Sequence, residues 1–381
     1  MMRSVALVVC AVLGLGCRDN GRLPIASYNL DAGRAPRDAG SRPDAPDASP
    51  PPDGGLADPP DALVSGPEEM LDLFVVEAGI LVVTRRSVAL VDREGGELVR
   101  WESPRDITAA ALDGDRLGIA DRAMLTVIAT ATLEPLSTEP LTFECESAAV
   151  VSEHRFLCRT DSIEHEITVH DLRTGSEIFR TSADHERHLP HGAMRGVAGS
   201  DRFIAADGNF HLFRVSATGI DGLGSSAPGL LLPRSAIFAP AGSPPALALS
   251  SRGVRLRLDG CPGPVPGCFG EDGVVAGIEP DHELVAIDTT ATGEVLGVID
   301  RVPLPGTRRV TYCEEGCEIV RFDAALRGTI ADAGWSAVVR TIIALRDDPW
   351  GGGVVIGTSA TCFDDAWCRG WSVTRVAMVT R

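Results

Sequence analysis

From residue 67 onward the chain is a succession of short valine-rich runs that recur at a nearly fixed interval. LFVV (73–76), ILVVT (80–84), SVALVD (87–92), ITVHD (167–171), FHLFRV (210–215), VRLRLD (254–259) and GGVVIG (352–357) are each bounded by Gly, Asp, Ser or Pro. Apolar residues alternating with polar ones between turn formers predict strands, and no long stretch carries helical periodicity. VALVDREGGELV (88–99) and ITVHDLRTGSEI (167–178) share a finer pattern: apolar alternation, Asp, then Gly four residues on. HLFRVSATG (211–219) keeps the Gly but has Val215 in place of Asp, and LTVIATATLEPL (125–136) keeps only the strand. With the Asp position as marker, the series Asp92, Ala129, Asp171, Val215, Asp259 advances in steps of 37, 42, 44 and 44 residues. LVAIDTTATGEV (284–295) and EIVRFDAALRG (318–328) read as further repeats, and WSVTRVAMV (371–379) as the last.

A period of about 40–45 residues is the length of a four-stranded antiparallel unit. Such a sheet cannot cover both of its faces, so neighbours must cover them around a common axis. On these repeats, most of residues 70–381 resembles the WD40-like and quinoprotein-like β-propellers. The resemblance implies an all-β fold of about seven four-stranded blades; the alternative is a pair of two-sheet β-sandwiches. The Trp-Asp dipeptide of WD40 repeats is absent, and a Trp following the Asp…Gly turn occurs only at Trp101, so no cofactor is carried over.

Composition narrows the chemistry. Hydrophobic residues make up 44% of the chain and aromatic ones 5%, so the core is built from Val, Leu, Ile and Ala. The formal charge of −18 disfavours nucleic acid and anionic membrane surfaces as partners. All 35 basic residues are Arg. Without Lys there is no Walker A loop, no Schiff base and no Ser-x-x-Lys hydrolase.

The first residues have the plan of an export signal. Arg3 precedes an apolar run from Val5 to Leu13, and Gly14-Leu15-Gly16 leads into Cys17. The run is too short to span a membrane in the mature protein. Cys17 at the expected cleavage point resembles the lipobox of bacterial lipoproteins, in which that Cys is acylated and becomes the new N-terminus. The alternative is an ordinary signal with a free or paired Cys. Residues 1–16 are therefore read as signal peptide. By the family's sorting rule Arg18 favours the outer membrane, on its periplasmic face or at the cell surface. Asp31 to Ala62 has many Pro, repeated Asp-Ala and almost no large apolar side chain, so it predicts a disordered, extended spacer. Lipid Cys plus such a stalk resembles lipoproteins of the myxobacterial type. The expected division is 17–66 acylated Cys and linker, and 67–381 the β domain.

Beyond Cys17 the cysteines form four close pairs: Cys145/Cys158, Cys261/Cys268, Cys313/Cys317 and Cys362/Cys368. In an exported chain these predict disulfides between neighbours; the competing zinc site lacks Cys-x-x-Cys knuckles. Cys17 has no mate, which favours acylation.

The sharpest candidate for chemistry is DHERHLPHG. His185, His188 and His191, with Asp184 or Glu186, are residue types that hold Zn²⁺ or another transition metal and activate water. Pro190 interrupts the helical spacing that would align them, so a polar inter-blade loop is the opposing reading. The pairs Asp347/Asp348 and Asp364/Asp365 are expected to solvate turns rather than form a glycosidase pair. Trp350, Trp367 and Trp371 are expected in packing rather than as a ligand platform. The expectation is thus a monomeric, lipid-anchored scaffold that binds a protein, peptide or glycan without catalysis and without cofactor. The alternative is a metal-dependent hydrolytic enzyme centred on the His cluster.

Overall fold

In a computed structural model, the described residues are 62–160, 166–181, 194–197, 199–206, 210–225, 247–249, 253–257, 270–274, 282–290, 294–301, 317–335, 340–360 and 370–380. Every regular element among them is a β-strand, and the strands form seven antiparallel sheets, the blades of a propeller. β1 (Ala62–Gly66) belongs to the last blade. Blade 1 is β2 (Met70–Val76), β3 (Gly79–Thr84), β4 (Ser87–Val91) and β5 (Glu97–Glu102). Blade 2 is β6 (Ile107–Asp113), β7 (Arg116–Asp121), β8 (Met124–Ala129) and β9 (Pro135–Pro140). Blade 3 is β10 (Ser147–Val151), β11 (Arg155–Arg159), β12 (Ile167–Asp171) and β13 (Glu177–Thr181). Blade 4 is β14 (Met194–Gly196), β15 (Arg202–Ala206), β16 (Phe210–Val215) and β17 (Ile220–Ser225).

Blade 5 shows three strands among the described residues, β18 (Leu247–Leu249), β19 (Val254–Arg257) and β20 (Gly270–Val274). Blade 6 is β21 (His282–Thr289), β22 (Val295–Arg301), β23 (Cys317–Phe322) and β24 (Thr329–Trp335). Blade 7 is β25 (Arg340–Asp348), β26 (Gly353–Ala360) and β27 (Trp371–Val376), completed on its outside by β1. A last short strand, β28 (Val379–Thr380), lies outside β24 as a fifth strand of blade 6. The ring-closing strand thus comes from residues 62–66, at the end of the stretch whose composition reads as linker.

The core is divided between the blades. GILVVT of β3 and SVALV of β4 are buried at every position because both sheet faces are covered, whereas the outer β5, ELVRWE, is mostly exposed. One cluster joins Leu81, Val83, Val88 and Leu90 of blade 1 to Ile107, Leu117, Ile119 and Ile128 of blade 2. Others join blades 2 and 3, 3 and 4, 6 and 7, and 7 and 1. Each fully buried Leu or Ile contributes about 1.5–3 kcal/mol, and here the contribution belongs to a blade pair.

The sequence marker acquires a physical role. Asp92 lies between the third and fourth strands, where its Oδ1 accepts the N–H groups of Glu94 (3.0 Å) and Gly96 (2.7 Å). Asp171 does the same for Arg173 (2.8 Å), and Asp323 for Ala325 (2.9 Å) and Arg327 (3.0 Å). Gly95 (φ +94°) and Gly175 (φ +82°) supply the left-handed residue these turns need. Blade 2 lacks both motif residues, and Leu133 takes the left-handed position at φ +56°. Leu326 does so in blade 6 at +55°. Both leucines are buried, which offsets a strain of about 1–2 kcal/mol. Asp288, whose surroundings also read as a repeat, instead lies within an innermost strand, next to its last residue.

At the end of the sheets that carries these turns, five arginines cross to the following blade. Arg116 Nη1 donates to the carbonyls of Leu172 (3.2 Å) and Arg173 (3.1 Å), and Arg155 Nη1 to those of Val215 (3.2 Å) and Ser216 (3.1 Å). Arg255 Nη1 reaches Ala325 (3.4 Å) and Leu326 (3.5 Å), and Arg321 Nη2 reaches Gly353 (3.2 Å) and the Asp347 carboxylate (2.7 Å). Arg375 Nη1 donates to Arg93 (2.9 Å), joining blade 7 to blade 1. A charged donor on turn carbonyls is worth about 1.5–3 kcal/mol, so these side chains fix the angular setting of successive blades.

Candidate functional site

The innermost strands meet around the axis: β2 packs against β25 and β6, β6 against β10, β10 against β14, and β21 against β25. Four charged residues from these strands form one network. Arg346 of β25 donates Nη2 to Asp72 of β2 (2.7 Å), and its Nη1 lies 3.6 Å from Asp288 of β21. Asp288 also accepts Arg195 of β14, which donates Nη1 to the Ile287 carbonyl (2.9 Å). The Arg346 guanidinium lies 5.5 Å from the centre of the Phe74 ring. Burial pushes the Asp72 carboxyl above its ordinary range, against the pull of Arg346, the Leu73 N–H and Arg195. Desolvation pulls Arg346 down, but Asp288 and Asp72 raise it overall. The four charges alternate and sum to zero. Each carboxylate is already engaged by a permanent cation, so the network clamps blades 1, 4, 6 and 7 and offers no free acid or base.

The outer strands carry a different feature. Each of β5, β9 and β13 contains a bulge after its first residue. Leu90 faces Val99 and Val91 faces Glu97, so Leu98 is the inserted residue. Val127 faces Ser137 and Ile128 faces Pro135, which leaves Leu136. Val169 faces Phe179 and His170 faces Glu177, which leaves Ile178. These inserted residues are 57%, 50% and 43% exposed. Among the described residues, only Val379 on β28 joins them as an exposed large aliphatic side chain. A bulge re-aims the residue it inserts, and three consecutive blades use it to present a large aliphatic side chain to solvent. Glu97–Arg100 (2.5 Å) and Glu177–Arg180 (3.1 Å) ion pairs flank two of the three.

The residues singled out from the sequence fall as follows. Cys17, Asp184, His185, Glu186, His188 and His191 lie outside the described residues, as do Cys261, Cys268, Cys313, Cys362, Cys368, Asp364, Asp365 and Trp367. Cys145 and Cys158 are joined by a disulfide across the β10–β11 hairpin, with Cα atoms 5.3 Å apart. Cys317 is buried at the start of β23. Among the described residues no three His, Cys, Asp or Glu side chains gather as a metal site. Asp347 is bound by Arg321 and Asp348 by Arg375, so this carboxylate pair is structural. Trp371 is buried between blades 7 and 1, and Trp350 packs against the same cluster. Arg93 and Arg375 lie 4.9 and 5.6 Å from the Trp350 ring centre. His170 is buried, bonded to the Gly175 carbonyl (3.2 Å) and Thr168 (3.0 Å), and desolvation lowers its pKa despite the Gly175 bond.

The network on the innermost strands gave no sequence signal, since its members come from four separate strands. The bulge residues had one. They stand six or seven positions after the turn marker, in GGELVR, TLEPLS and GSEIFR, so alignment on that marker brings Leu136 and Ile178 into one column and Leu98 within one position of it.

None of the protein-family models matches the sequence, and no curated protein matches it significantly. Solved structures do match. The chain is similar to U3-55K (TM-score 0.52, 11% identity), covering 81% of this chain and 95% of that one. It is similar to the RRP9 WD40 repeats (TM-score 0.51, 12% identity; 81% and 95% covered). It is also similar to the β-propeller domain of Cps50 (Swd1) from Myceliophteria thermophila (TM-score 0.52, 12% identity; 81% and 97% covered). At these identities the likeness concerns the fold, and the fold is an all-β propeller.

Proposed function

We propose that this chain is a lipid-anchored cell-envelope protein whose propeller binds a protein partner through its outer strands, without catalysis of its own. The observation that carries this reading is the bulge repeated in β5, β9 and β13, with Leu98, Leu136 or Ile178 as the inserted, exposed residue. Large aliphatic side chains gain nothing from water at an outer strand, and each of the three stands next to a charged or polar residue, Glu97, Ser137 or Glu177. A partner covering them gains burial at fixed, rigidly spaced points. The test is the triple substitution Leu98→Asp, Leu136→Asp, Ile178→Asp. It should leave the melting temperature within a few degrees and abolish in-cell cross-links from residues 97–102, 135–140 and 177–181. Cross-links that survive the triple change would defeat the reading.

The anchor is supported by Cys17, by the apolar run before it and by the Pro-rich stretch after it. Cys17→Ser should move the protein from the membrane fraction, by expectation the outer membrane, to the soluble fraction of lysed cells. A variant that still sediments with membranes would remove the lipid from the proposal.

A further inference from the structure

The outer edges of the blades are not equally protected. β5 carries Glu97, Arg100 and Glu102 among six residues; β9 begins and ends in Pro135 and Pro140; β13 carries the paired Glu177 and Arg180 among five. Charge and proline are the usual guards of a strand edge. β24, TIADAGW, is the longest outer strand among the described residues at seven, and Asp332 is its one charged side chain. Its bulge leaves out Ile330, since Arg321 faces Ala331 and Phe322 faces Thr329, so regular pairing runs from Ala331 to Trp335. That is five residues, against four past the bulge in β5 and β9 and three in β13.

This edge already holds a strand. β28 pairs with it antiparallel, Ala331 facing Thr380 and Asp332 facing Val379. The occupant is slight: it is two residues long, both exposed, and Val379 is 69% exposed. Met378, just before it, packs against the cluster between blades 6 and 7. Ala333 and Gly334, further along the edge, face Ile319 and Glu318 on β23, and β28 pairs with neither.

We propose that the outer edge of β24 is a strand-accepting site. It takes an extended, β-branched segment of a partner protein, antiparallel, in the place that β28 holds. β28 defines the chemistry of the guest: main-chain hydrogen bonds in the register of Ala331 and Asp332, with a side chain such as Met378 lodged between the blades. Strand addition of this kind draws affinity from the main chain and selectivity from alternate side chains. The site deepens the binding role proposed above, and it rests on a surface separate from Leu98, Leu136 and Ile178.

The test uses the full chain and a fluorescent peptide of its own sequence VAMVTR (376–381) as probe. Val379→Pro removes a donor and a strand-compatible residue from β28. The variant should bind the peptide at least tenfold more tightly than the unaltered chain by anisotropy. N-methylation at the peptide's second valine should abolish binding. Met378→Asp, which withdraws the anchor, should act like Val379→Pro if the latter folds poorly. In the unaltered chain, saturating peptide should slow hydrogen exchange at residues 331–335. Equal affinity for the variants and the unaltered chain, or an N-methylated peptide that binds as well as its parent, would overturn the site. So would dimerisation of Val379→Pro without peptide capture, which would assign the edge to a second copy. The Leu98, Leu136, Ile178 triple variant should still bind the peptide, so loss of one surface is separable from loss of the other.

Discussion

Replacing Arg346 with alanine should lower the unfolding free energy by about 3 kcal/mol, and part of that loss should return on acidification. Arg346 is the cation between Asp72 and Asp288, at 2.7 and 3.6 Å. Without it, two carboxylates on the innermost strands lose their shared partner, and breaking a buried pair from one side costs about 3–5 kcal/mol. The partial exposure of Asp72, 30% for its side chain, places the estimate at the low end. Burial already raises the Asp72 carboxyl above its ordinary value, and loss of the arginine raises it further. A carboxyl raised in the folded state holds more protons there than in the unfolded chain between the two pKa values. Stability therefore grows as pH falls through the folded value towards the ordinary one near 4. Urea titrations of Arg346→Ala at pH 7 and pH 5 should show a smaller deficit at the lower pH. The double variant Arg346→Met, Asp72→Asn should lose less than the sum of its single changes. A deficit that grows on acidification would contradict this account of the network.

The second large effect is expected at Asp348. Its carboxylate receives Arg375 through two bonds, Nε at 3.0 Å and Nη2 at 3.1 Å, and caps the Trp350 N–H at 3.1 Å. Arg375 in turn holds the Arg93 carbonyl of blade 1 and lies over Trp350. Asp348→Ala releases the joint between the last blade and the first. A loss of about 2–4 kcal/mol follows from a buried pair whose arginine is partly exposed. The distribution of the damage is more telling than its size. Amides of β1 should lose exchange protection before those of β3 and β4, because β1 is an outer strand paired only with β27, the strand that carries Arg375. A uniform loss of protection would mean that Asp348 supports the ring generally rather than its closure.

The propeller was legible because its repeat is written in strong local chemistry. An apolar run, an Asp that caps a turn and a Gly in left-handed conformation mark the third strand of blades 1 and 3 outright, and spacing alone locates Ala129 and Val215. Legibility fails where two different strands look alike. LVAID at 284–288 ends in Asp as a third strand does, yet it is innermost, and Asp288 serves the Arg195–Arg346 network instead of a turn. ALVSG of β1 follows a Pro- and Asp-rich stretch and is too short to announce itself; only its partner β27 identifies it. The bulge residues were present as ordinary apolar letters, and nothing local shows that Leu98 points outward while Val99 points in. That distinction requires the register.

Ring closure by β1 also fixes an order of events. Ala62 pairs with Thr374 and Gly66 with Trp371, so the first described strand waits for one more than 300 residues later in the chain. Contacts this distant form last, because loop-closure entropy must be met before they contribute. Until β27 emerges, β1 has no sheet to join; β25 and β26 can pair locally, but blade 7 lacks its outer strand until β27 has joined them. A chain interrupted before residue 371 leaves β1 and the face of blade 1 that it helps to cover exposed together. Folding therefore has a single point of commitment, and it lies in the arrival of β27.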